Sequence, residues 1–69
     1  MLEFKLQDTY IELHKLLKVL DLVDSGAEAK LLIAEGHLTR NGEVETRKSA
    51  KIVAGDILQI AEVTIKVIA

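Results

Sequence analysis

Leu2-Glu3-Phe4-Lys5-Leu6 alternates apolar and polar side chains, the period of a half-buried strand. The rhythm then lengthens. Leu13, Leu16, Leu17 and Leu20 recur at helical spacing, and Thr9 with Glu12 three residues on has the form of a capping box, so residues 10–20 are predicted as an amphipathic helix. Asp21-Leu22-Val23-Asp24 interrupts it. Ser25 and Glu28 form a second capping box, Ala29, Leu32 and Ile33 make an apolar stripe, and Gly36 is a left-handed stop, which predicts a second helix packed on the first. Lys30 falls off the apolar stripe and is expected in water.

Beyond Gly36 the period becomes two. Asn41-Gly42 between Leu38 and Val44 marks a hairpin. A two-residue turn would pair Thr39 with Val44. A three-residue loop, Arg40-Asn41-Gly42, would set Leu38 opposite Val44 and bury both on one face, and that register is preferred on burial grounds. It sends His37, Thr39, Glu43 and Glu45 to solvent. Thr46 to Ala50 is read as irregular, Lys51 to Ala54 as a short extended piece, and Gly55-Asp56 as a turn. Ile57–Ile60 and Val63–Ile68 are two further strands, the last able to pair with the N-terminal one. The order β-α-α-β-β-β-β makes an α+β domain, two short packed helices against a small, mostly antiparallel sheet.

The 69 residues suffice for one domain, 1–69, and a chain this short buries only about 60% of its unfolded surface. With Phe4 and Tyr10 as the only aromatics, the core has to be built from Leu, Ile, Val and Ala. The absence of Cys leaves no disulfide and no thiolate chemistry. No apolar run approaches the roughly 20 residues of a membrane span, and no signal peptide is evident, so a cytoplasmic protein with no membrane partner is expected.

Charge changes the picture more. The chain is acidic overall, at −2, yet its charge is segregated. Residues 1–29 carry three Lys against six acids. Residues 30–51 carry five cations, Lys30, Arg40, Arg47, Lys48 and Lys51, against Glu35, Glu43 and Glu45. Residues 52–69 return to a single negative charge, Lys66 against Asp56 and Glu62. The only basic third therefore contains the hairpin. Those five cations suit phosphate contacts, with Arg40 and Arg47 preferred because a guanidinium forks onto phosphate or stacks on a base. They are equally an ordinary solvated surface partly neutralised by Glu43 and Glu45.

The order of elements and the motif residues together resemble the small RNA-binding domain named after ribosomal small-subunit protein S-four. The residues carrying the likeness are Ser25, Ala29, Lys30, Ile33, Gly36, Leu38, Asn41, Gly42, Gly55, Asp56 and Ile57, across about residues 11–60. SGAEAK, IAEG, NGEVETRK and KIVAG look closest to the stand-alone bacterial members, the YbcJ-type small RNA-binding proteins. Two positions depart from the pattern: Gly26 stands where the family often has Arg, and Arg47 where many members have Pro.

The resemblance implies non-catalytic binding of structured RNA, ribosomal or transfer, through the second helix and the hairpin. The residues then expected to contact RNA are Ser25, Lys30, His37, Arg40, Asn41, Arg47, Lys48 and Lys51. The N–H groups of Gly26 and Ala27 offer a general anion site, opposed by Glu28. Asn41 and Gly42 serve the turn first. Base stacking is expected to be minor, since both aromatics lie outside the basic stretch.

His14 and His37 are far apart, with no carboxylate at ligand spacing, so neither a metal nor a cofactor is implied. Spacing supports no catalytic constellation. Two other readings stand beside RNA binding. One is a protein-interaction module docking through the leucine-rich first helix. The other is a β-grasp sulfur carrier, opposed by the ending Val67-Ile68-Ala69 in place of a Gly-Gly tail and by two successive helices before the hairpin.

Overall fold

The computed structural model describes all 69 residues. Its strands are β1 (Leu2–Lys5), β2 (Ile11–Glu12), β3 (Leu38–Arg40), β4 (Glu43–Val44), β5 (Lys51–Ile52), β6 (Ile57–Ile60) and β7 (Val63–Ile68). Its helices are α1 (Leu13–Val19) and α2 (Gly26–Ala34), both lying between β2 and β3. Five strands form one mixed sheet in the order β1-β7-β6-β3-β4, and β2 and β5 form a separate two-stranded ribbon. The α+β class follows directly. β1 runs parallel to β7, Phe4 opposite Val67, and the other pairs are antiparallel.

One face of the sheet is apolar because the period-two residues of neighbouring strands share it. Ile65 and Leu58 are partners in the ladder, as are Ile60 and Leu38. Against that face lie Leu13, Leu16 and Leu17 of α1 and Ala29 and Ile33 of α2, all fully buried. The leucine face of α1 is thus spent on the core. A protein docking on this helix would meet Lys15, Lys18 and Val19 rather than the leucines the sequence offered.

The second helix is built as its sequence implies. Ser25 Oγ accepts from Glu28 N at 3.1 Å, and Glu28 Oε1 accepts from Asp24 N at 2.8 Å. At its other end Gly36 sits at φ +82°, with Gly36 N donating to Ile33 O and His37 N to Leu32 O, the paired bonds of a Schellman stop.

The first helix departs from expectation. It begins at Leu13, and the residue before it, Glu12, makes no side-chain cap. Its leading N–H groups are instead taken by a distant segment: Leu13 N donates to Ala50 O and His14 N to Lys48 O, each at 3.0 Å. Ile11 and Glu12, expected in the helix, pair with Ile52 and Lys51. A helix end satisfied by backbone carbonyls has no need of the Thr9 cap.

The hairpin register also differs. Thr39 pairs with Val44 and Arg40 with Glu43, joined by a two-residue turn with Asn41 at φ 53° and Gly42 at φ 87°, a type I′ geometry whose twist suits the strands. Val44 is therefore 63% exposed rather than opposite Leu38, and Glu45, expected in solvent, is buried. Burial of one valine loses to the pairing of Glu45 with Arg47.

Candidate nucleic-acid interface

Arg40, at the end of β3, points to the side of the sheet where Asp56 lies after the Gly55 turn. Asp56 Oδ2 accepts from Arg40 Nη2 at 2.8 Å, Arg40 Nε at 3.2 Å and Val53 N at 2.9 Å. Its Oδ1 accepts from Asn41 Nδ2 at 3.0 Å, while Asn41 Oδ1 accepts from Ile57 N at 2.9 Å. A carboxylate only accepts and a backbone N–H only donates, so the orientation of the Asn41 amide is fixed chemically. The Asn-Gly and Gly-Asp-Ile motifs, separate in sequence, are thus one hydrogen-bonded unit. Burial by itself would raise the Asp56 pKa, but the bonds from Val53, Asn41 and Arg40 outweigh it, and the net shift is downward.

The second carboxylate, Glu45, is held chiefly by Arg47. Arg47 Nε and Nη2 donate to its two oxygens at 3.0 and 3.1 Å, and Arg47 N adds a third bond at 3.2 Å. Arg40 Nη1 lies 3.7 Å away. The Arg47 hydrogen bond is the main reason the Glu45 pKa is lowered, and the same pairing raises that of Arg47.

Two arginines, then, face two carboxylates. Their exposure differs: the Arg40 side chain is 22% accessible and that of Arg47 is 75%. Arg40 Nη2 also donates to Lys51 O at 2.9 Å, which ties the guanidinium to the basic segment.

That segment, Arg47–Lys51, is fixed from both sides. Lys48 O accepts from His14 N and lies 2.9 Å from His14 Nδ1. A carbonyl cannot donate, so Nδ1 carries the proton. Lys48 and Lys51 make no salt bridge, and both are exposed. Arg40, Arg47, Ser49, Ala50 and Lys51 together line an open cleft of about 440 Å³ that contains no carboxylate. A neighbouring cleft of about 440 Å³ shares Arg40 and Arg47 but is lined also by Glu43 and Glu45.

Of the eight residues singled out from sequence, Arg40, Asn41, Arg47 and Lys51 come together here, with Lys48 on the same segment. Ser25 is occupied in capping α2, and Lys30 is exposed on that helix without an ion pair. His37 Nε2 lies 3.5 Å from Glu35 Oε1 and lines a different, mainly apolar cleft with Leu22, Leu32 and Ile60. No group of three metal-binding side chains is assembled.

Sequence reasoning missed two residues. Asp56 is the hub of the network, and its presence beside Gly55 was the available signal. Tyr10, set aside as remote from the basic stretch, has Lys51 Nζ 5.1 Å over its ring centroid, because β2 and β5 pair. No feature of the local sequence announced that neighbour.

The model of the S4 domain matches residues 4–68, nearly the entire chain. The chain belongs to the S4-domain family. Among its relatives is YbcJ of Escherichia coli (strain K12), named as a candidate RNA-binding protein, which is 47% identical over 60 residues, 87% of this chain and 86% of YbcJ. RlbA of Bacillus subtilis (strain 168), named a probable ribosome maturation protein, is 34% identical over 50 residues, 72% of this chain and 70% of RlbA. The solution structure of E. coli YbcJ, described as revealing an ALFAL motif involved in RNA binding, superposes with a TM-score of 0.76 at 44% identity and covers 100% of this chain and 89% of that one. No helix of the chain is long and apolar enough to cross a membrane.

Proposed function

We propose that residues 1–69 are a single, non-catalytic RNA-binding domain acting in the cytoplasm on structured RNA. The observation that carries this reading is the carboxylate-free cleft lined by Arg40, Arg47, Ser49 and Lys51 in a chain of the S4 family. Phosphate is the natural occupant of such a cleft: Lys51 and the adjacent Lys48 supply uncompensated charge, and Arg47 offers the guanidinium edge that its bonds to Glu45 leave free. Arg40, held by Asp56 and Glu45, stiffens the floor and contributes its remaining exposed edge. Asn41 acts through the turn. Lys30, His37 and Ser25 are outer contacts made as the RNA extends toward α2. The names of the relatives support RNA as the ligand, and RlbA's makes ribosomal RNA the first to try.

The site is modest. With two arginines matched by two carboxylates, about two to three phosphates are neutralised, so binding should weaken roughly 12- to 40-fold between 50 and 200 mM salt. Backbone-amide NMR during titration with a structured RNA fragment tests the location. Shifts concentrated in Arg47–Lys51 are expected; shifts confined to the outer face of β1 and β7 would contradict the assignment.

A further inference from the structure

Tyr10 is 42% exposed, is held at the end of the β2–β5 ribbon, and has the ammonium of Lys51 over its ring. Lys51 also lines the phosphate-suited cleft, so a single side chain joins that cleft to an aromatic surface. Tyr10 also lines an open cleft of about 670 Å³ with Gln7, Asp8, Thr9, Glu12 and Lys15. The polar groups there differ in kind from those around Arg47. Glu12 is engaged by Lys15 at 2.9 Å, which leaves the Asp8 carboxylate as an acceptor without an ion pair. An unpaired carboxylate repels phosphate and accepts from an exocyclic amine.

We propose that Tyr10 is a stacking platform for one unpaired nucleobase of the bound RNA, next to the phosphate held by Lys51, with Gln7 and Asp8 reading the edge of the base. The proposal rests on the RNA-binding reading and deepens it by naming the feature recognised. Bases inside a duplex are stacked on one another, so only a bulged, looped or terminal base reaches such a ring. The Asp8 acceptor favours adenine, guanine or cytosine, which carry amines, over uracil, which has none. The aromatic and the cation cooperate, since the ammonium over the ring holds both the tyrosine and the neighbouring phosphate in place.

The test uses two RNA hairpins of the same stem, one with a single bulged adenine and one fully paired, bound to the full chain in an anisotropy titration at low salt. Native protein is expected to prefer the bulged hairpin by about tenfold, in keeping with one base–aromatic stack. Tyr10→Phe should keep that preference and Tyr10→Ala should abolish it. With 2-aminopurine at the bulge, native protein and Tyr10→Phe should quench its fluorescence and Tyr10→Ala should not. Equal affinity of native protein for both hairpins overturns the platform while leaving RNA binding intact, and this comparison decides even if Tyr10→Ala fails to fold. A bulge preference that survives Tyr10→Ala places the base elsewhere and overturns it too. No binding to either hairpin overturns the RNA reading along with it.

Discussion

The basic third of the chain contains two kinds of cation, and they are used differently. The arginines are matched by carboxylates: Arg40 by Asp56 and, more distantly, Glu45; Arg47 by Glu45. The lysines of the following segment, Lys48 and Lys51, have no acid partner. A paired guanidinium adds order but little field. An unpaired, exposed ammonium adds field and is left free by the fold. The hairpin is therefore a mount and the segment is its charged edge, with the Arg40-to-Lys51 carbonyl bond joining them. Counting cations along the sequence overstates the positive potential by the two that are neutralised in place.

The two regions therefore respond to substitution on different axes. Asp56→Ala should be the most damaging change. It leaves Arg40, Asn41 Nδ2 and Val53 N without their acceptor, a loss of about 2–4 kcal/mol that a domain of this size barely tolerates. Lys51→Ala should change stability by less than about 0.5 kcal/mol. Urea denaturation of both variants checks the contrast, and equal losses would erase it.

Acid should attack the mount selectively. Asp56 and Glu45 have lowered pKa values in the folded state, so they hold fewer protons folded than unfolded. The stability they contribute is present above the ordinary carboxylate range and is lost as pH falls through it toward their folded values. Melting curves between pH 7 and pH 3 should show stability falling below about pH 4.5 in the native protein, and less steeply in Asp56→Asn.

Arg47 lies between the two classes, paired yet exposed, and its replacement sharpens the comparison. Arg47→Ala should cost far less stability than Asp56→Ala, because an exposed ion pair contributes little. It should lower RNA affinity more than Lys48→Ala does, because it removes a cation and unmasks Glu45; affinity titrations of the two variants side by side check the order. The smallest effect is expected at Gly26, where the family often carries Arg. A side chain there meets nothing within 4 Å, so Gly26→Arg should fold and raise affinity about threefold if the start of α2 lies near phosphate.

Legibility in sequence followed the range of the interactions. The second helix was readable to the residue at both ends because Ser25, Glu28 and Gly36 act on their own neighbours. The start of the first helix was not, because its cap is the backbone of Lys48 and Ala50; His14 and Lys48 are 34 positions apart. The hairpin turn was legible in Asn41-Gly42, but its register hung on partners for Glu45 that no alternation of apolar residues encodes. The basic segment could be located from composition. Which of its charges were free could not, since Arg40 meets Asp56 across 16 positions. Tyr10 reached the site only through a two-residue ladder.

The central claim, that the lysines supply the field and the arginines the frame, is tested most directly by the salt dependence of RNA affinity. Native protein, Lys48→Ala/Lys51→Ala and Arg40→Lys would be compared on one structured RNA after each is shown to be folded. The double lysine variant should lose about two units of slope in the logarithmic plot of affinity against salt, leaving at most the single contact of Arg47. Arg40→Lys should retain the native slope while losing stability, since an ammonium cannot reproduce the fork onto Asp56. A double lysine variant with the native slope, or an Arg40→Lys protein that is fully stable but has a flattened slope, would contradict the account.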